Sequence, residues 1–155
     1  MVCLPVRGLT YLLASIYLDV LHSPTPDWLS DIVDFADDKG YALILSVDTN
    51  AHSQLFGPST NPRGEQLEEF LFAHGLTVEN LGLHPTFHAH RAGRLIGTHI
   101  DATFSKRVTE MTHWRVCEEF NASDHYTIRF DLGKMQPQTK LIRPWKQPDT
   151  FILAT

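Results

Sequence analysis

The chain has 155 residues, a formal charge of −5, nine histidines and two cysteines, a length that suits one domain and is too short for two. Its 43% apolar and 20% charged composition is that of a globular chain and excludes a disordered one. No apolar run reaches the ~20 residues a membrane-spanning helix needs, and Cys3 and Cys117 alone cannot build a disulfide framework, which fits a reducing compartment.

The net acidity argues against a polyanion binder held by bulk charge. Charge is unevenly spread: residues 1–60 carry only Arg7 and Lys39 against seven aspartates, whereas residues 61–155 balance to zero. From Gly133 onward, Lys134, Lys140, Arg143 and Lys146 stand against Asp149. The sequence therefore predicts a domain over residues 1–132 and a basic tail or linker over 133–155.

The apolar stretch of residues 9–18 faintly resembles a secretory signal but is short. Asp19 interrupts it and no cleavage site follows, so it is read as a buried strand. Ser23-Pro24-Thr25-Pro26-Asp27 predicts a helix start, with Thr25 as cap, Pro26 in the first helical position and Asp27 at the positive dipole end. Trp28, Leu29, Ile32, Val33, Phe35 and Ala36 recur at helical spacing up to Gly40, which suits a left-handed cap. Tyr41 to Val47 is a continuous apolar run, as expected of a central strand buried on both faces. A polar, turn-rich loop over 48–62 leads to a second predicted helix at 63–74, with Leu67, Phe70 and Leu71 inward and Gly75 after its end. Strand candidates follow near 76–79, 85–90, 96–104, 112–118 and 125–131. Two β-α units followed by mostly strands predict a mixed α/β sandwich rather than a regular doubly wound sheet.

Three polar clusters fall at predicted strand ends, where α/β sheets carry their sites: Asp48-x-Asn50-x-His52, Gly97-Thr98-His99-Ile100-Asp101 and Ser123-Asp124-His125. Each has a structural reading of its own, as a self-bonded turn, a strand cap or an exposed pair. Together they supply what phosphoester hydrolysis needs. Carboxylates hold a divalent cation or polarise water, a carboxylate-held histidine meets phosphoryl oxygens, and an amide orients the scissile group without adding charge.

These clusters carry a resemblance. With Ala14-Ser15-Ile16-Tyr17-Leu18-Asp19, Asp48-Thr49-Asn50-Ala51-His52-Ser53, Arg63-Gly64-x-x-Leu67-x-x-Phe70 and Pro85-Thr86-Phe87, the chain resembles the endonuclease/exonuclease/phosphatase superfamily over residues 10–132. It is most similar to the apurinic-endonuclease-type domain of non-LTR retrotransposons. The resemblance implies a DNase I-like four-layer α/β sandwich and Mg²⁺- or Mn²⁺-dependent nicking of DNA to a 3′-hydroxyl. It also implies a nuclear or cytoplasmic, non-membrane setting, with a reverse transcriptase domain as partner on the same polyprotein. By the same resemblance Asp48 positions or deprotonates the attacking water, Asn50 contacts the scissile phosphate, and Tyr17 reaches it from the neighbouring strand. Asp101 holds His125, His125 stabilises the phosphorane-like charge, Asp124 sits near the metal, and His52 lies at the substrate-binding rim.

The chain departs from the family pattern at three points. The family's early asparagine and metal-binding glutamate have no match here, since only nine residues precede the first recognisable strand. Val47 replaces a usual glycine, and Thr49 replaces a usual Phe or Leu. The expectation is a truncated domain that keeps one half-site, with low activity and uncovered sheet edges.

Rival readings are a catalytically inactive remnant that binds nucleic acid or protein, and a phosphatase of the same superfamily. A zinc site at His84, His88, His90 and His99 lacks the ligand spacing zinc sites use, and these residues read as solvated. Trp114 and Trp145 could stack on bases, yet Trp114 sits in a predicted strand and reads as core.

Overall fold

The apolar run before Asp48 forms the centre of the molecule. In the computed structural model, which describes residues 1–6, 8–119 and 122–133, the chain folds as β1 (Val2–Val6), β2 (Leu9–Tyr17), α1 (Asp27–Lys39), β3 (Ala42–Asp48), α2 (Pro62–Ala73) and β4 (Thr77–Val78). There follow β5 (Phe87–Arg91), β6 (Arg94–Thr98), β7 (Asp101–Lys106), β8 (Met111–Cys117) and β9 (Thr127–Leu132). Apart from Gly133, the predicted tail, Trp145 included, lies outside the described residues.

Strand β3 sits in the middle of a five-stranded sheet of order β1-β2-β3-β7-β4, parallel to β2 and antiparallel to β7. A parallel pair needs a crossover, and α1 supplies it. On one face Leu12, Ala14, Ile16, Leu43, Leu45, Val47 and Phe104 pack with Leu29, Val33 and Ala36 of α1 and Leu67 and Leu71 of α2. On the other, Tyr11, Ala42 and Ile44 meet Met111, Phe130 and Leu132 of the β8–β9 pair. Trp114 is buried, and its indole N–H donates to Thr103 Oγ1 at 3.0 Å, as a core position demands. Among the described residues no helix is long and apolar enough to cross a membrane.

Several expectations need correction. Residues 2–6, taken as preceding the first strand, form β1, an edge strand paired with β2. Helix α1 starts one residue later than read: Pro26, extended at φ −66°, is its cap and gives no side-chain bond, while Thr25 turns back on Ser23. Gly40 closes it in the left-handed conformation, φ 64°, as expected. The stretch 96–104 is two strands in two sheets. β6 pairs with β5 in a hairpin, and after a break at His99-Ile100 β7 joins the main sheet. The hairpin puts His88 against Tyr126, ring centroids 4.9 Å apart, with a buried Nδ1, so this histidine is not solvated.

Candidate active site

Register brings the acidic residues together. Tyr17 pairs with Asp48, and Asp48 pairs with Asp101, so the three stand side by side on β2, β3 and β7. His125 arrives from the segment before β9. That segment is stitched to the chain at Thr86–His88: Tyr126 N donates to Thr86 O (2.8 Å), His88 N to Asp124 O (2.9 Å), and the Phe87 ring stands 4.8 Å from the His125 ring.

His125 Nδ1 faces both oxygens of Asp101, at 3.1 and 3.0 Å, and its Nε2 lies 3.8 Å from Asp48 Oδ2. The first contact fixes the ring. The second is too long for a direct hydrogen bond and leaves room for a bridging atom. Asp101 is mostly buried, and that burial pushes its carboxyl above its ordinary value. Hydrogen bonds from His125 and Thr86 pull it back, and the Asp48 charge adds to the rise. One ligand atom each from Asp48, Asp101 and His125 fall within 4.8 Å of one another, so this cluster can hold a metal ion. Two clefts, of 590 and 480 Å³, meet at Tyr17, Asp48 and His125.

The loop after β3 is built by its own side chains. Thr49, fully buried, donates its hydroxyl to Ile100 O at 2.7 Å and accepts Ala51 N at 3.1 Å, which explains a threonine where the family pattern has a large apolar residue. Asn50 N donates to Asp48 Oδ1 at 3.2 Å, and Asn50 Nδ2 to Leu18 O at 3.1 Å. His52 lines the second cleft with Asn50 and Arg91. Asp124 is not brought to the cluster: it is exposed and lines a separate cleft with His88, Glu118 and Glu119.

The sequence reading gave no role to Thr86, which is 1% exposed and accepts the amides of Ile100 (3.1 Å) and Asp101 (3.0 Å). It also gave none to Asn80, whose amide bonds Asp101 O and accepts Thr103 N. For Thr86 the signal was the Pro-Thr-Phe stretch; nothing in the sequence marks Asn80.

A family model described as endonuclease-reverse transcriptase matches residues 11–129. The chain belongs to this family. Among solved structures, it is similar to the endonuclease domain of TRAS1, a telomere-specific non-LTR retrotransposon, with 28% identity and a TM-score of 0.73. The match covers 86% of this chain and 63% of that one. A mannosyl-6-phosphatase of Bacteroides thetaiotaomicron (14% identity, TM-score 0.61, 83% and 53% covered) shares the fold alone. So does an endonuclease/exonuclease/phosphatase family protein of the same organism (15%, 0.53, 80% and 50%). No curated protein matches the chain in sequence. The fold is thus the DNase I-like α/β kind shared by family nucleases and phosphatases.

Proposed function

We propose that the chain hydrolyses DNA phosphodiesters with a divalent metal ion, as an endonuclease of the retroelement type. The observation that carries this reading is the row of Tyr17, Asp48 and Asp101 on adjacent strands, with His125 held on Asp101.

A phosphate lying over Asp48 and His125, where the two clefts meet, would find a carboxylate that orients and deprotonates a water, and an imidazole turned to the charge that develops on phosphorus-bound oxygen. Asp101 holds His125 through Nδ1 and so sets the orientation of the ring in the cleft. Asn50 spends one amide N–H on Leu18 O, and its other serves the scissile phosphate. The exposed Tyr17 hydroxyl supports the same phosphate, and His52 contacts the flanking strand. The bond from water oxygen to phosphorus forms as the bond to the 3′-oxygen breaks, so the products are a 3′-hydroxyl and a 5′-phosphate, with no covalent enzyme intermediate.

The carboxylates of the cluster would suit a weakly held Mg²⁺ or Mn²⁺ completed by water, with His125 turned to the phosphate. Asp48 and Asp101 would supply the oxygens; Asp124, in its separate cleft, stays outside this set. When bound, the ion polarises the phosphoryl oxygen and acidifies water. A match to a family described as endonuclease-reverse transcriptase supports a nick that serves a reverse transcriptase on the same polyprotein.

The chain spans 63% of the TRAS1 domain, and low activity is expected of it alone. That coverage favours, as a second reading, a module that binds nucleic acid without turnover. Supercoiled plasmid incubated with Mg²⁺ or Mn²⁺ separates the two. Metal-dependent nicks that a polymerase extends from their 3′ ends support hydrolysis, and EDTA abolishes them. Tight DNA binding without any nick selects the second reading.

A further inference from the structure

The Arg63-Gly64 stretch is a sequence motif that the proposed chemistry leaves without a role. The Arg63 guanidinium donates to four backbone carbonyls: Nε to Thr49 (3.1 Å), Nη1 to His22 (2.6 Å), and Nη2 to Leu18 (3.1 Å) and Asp19 (2.9 Å). Two of these acceptors belong to the site. Thr49 O lies on the peptide that joins Thr49 to Asn50. Leu18 O is also the acceptor of Asn50 Nδ2, and the Leu18 amide donates to Asp48 O at 2.9 Å.

Asn50 needs such support. Its φ of 47° is left-handed, a conformation that asparagine adopts more readily than most residues but that local hydrogen bonds must hold. The helix carrying Arg63 is itself fastened to this loop. Asn61 Oδ1 accepts His52 N (3.2 Å) and Gly64 N (2.8 Å), and Asn61 N donates to His52 O (3.0 Å). A Cβ on Gly64 would fall 1.8 Å from His52 O, so only glycine permits this approach.

We infer that Arg63 is a positioning residue that locks Asn50, and through it Asp48, into the site row by tying the loop after β2 to the loop after β3. Its catalytic meaning rests on the proposed function. Lysine keeps the charge but has no planar fork to reach four carbonyls, so Arg63→Lys isolates the lock.

The test compares wild type and Arg63→Lys by residue-level amide hydrogen exchange and by plasmid nicking with Mg²⁺. Exchange at Leu18 and Asn50 should quicken by about 10-fold or more while Leu43 and Leu45 in β3 stay protected. The nicking rate at saturating DNA should fall by about 10-fold with KM within about 2-fold. Arg63→Lys should add nothing to Asn50→Ala, because both act on one element. Unchanged exchange at Leu18 and Asn50 overturns the lock even if wild type nicks. Equal loosening of the whole core overturns it too. Selective loosening in a wild type that nicks nothing upholds the lock and sinks the proposed function instead.

Discussion

The two faces of the main sheet are built from the same strands and do different work. Toward the helices every buried position is apolar from end to end, from Leu12 to Ile16 on β2 and from Leu43 to Val47 on β3. The opposite face changes character along its length. It is apolar at Tyr11, Ala42 and Ile44, turns to hydroxyls where Ser15 pairs with Ser46 and Ser46 with Thr103, and ends in Tyr17, Asp48 and Asp101. The helix-covered face fixes the backbone, so the other can end in carboxylates without loss of register. Ser15 and Ser46 are exposed, and their row floors the larger cleft beneath the acidic residues.

Substitutions can break or sharpen this contrast. Phe104→Ala, on the helix-covered face at 2% exposure, should cost about 3–5 kcal/mol in denaturant unfolding; a cost below about 1 kcal/mol would deny that this face carries the stability. Thr86→Val leaves the Ile100 and Asp101 amides without their acceptor. It should cost about 1–3 kcal/mol and lower the nicking rate, whereas Thr86→Ser should restore both.

The pH dependence of stability should have opposite signs at two aspartates. Asp101 is raised by burial, so its favourable contribution is full below the ordinary value of 3.8 and is lost as pH rises through its folded value. Asp37, next to α1's C-terminus, is lowered by hydrogen bonds from Lys106 and then Arg107, so its contribution is present above 3.8 and is lost as pH falls. In metal-free buffer, Asp101→Asn should gain melting temperature relative to wild type as pH rises from 3 to 7, and Asp37→Asn should lose it. Parallel slopes would contradict both assignments. Asp37 is partly exposed, so its effect should stay below about 1 kcal/mol. Ser46→Ala, on the open floor, should change stability by less than about 0.5 kcal/mol; a larger loss would mean the floor is structural.

Much of this was legible in the sequence because it depends on neighbours along the chain. The period of Leu29, Ile32, Val33 and Ala36, the stop at Gly40, and the unbroken run before Asp48 each name their element. The three polar clusters were found because they follow or precede apolar runs directly. What stayed hidden depends on pairing between distant strands. Strand β1 carries Pro5 and is recognisable only by its partner β2. The break between β6 and β7 arises because Ile100 hands its amide to Thr86 and its carbonyl to Thr49, neither nearby in sequence. The same holds for the site. Asp48, Asp101 and His125 could be named, but the register that aligns them and the anchors Thr86, Asn80 and Arg63 needed three dimensions. Asp124, adjacent to His125 in sequence, lies in the bend that precedes it and lines another cleft.

The central claim is that Asp48 and His125 form one hydrolytic centre with Asp101. Plasmid nicking by the purified chain with Mg²⁺ or Mn²⁺, compared with Asp48→Ala and His125→Ala, tests it most directly. Weak nicking that each substitution lowers by about 100-fold or more, with melting temperatures near wild type, is the predicted result. Nicking that survives both substitutions, or its complete absence from a folded wild type at either metal, would contradict the account.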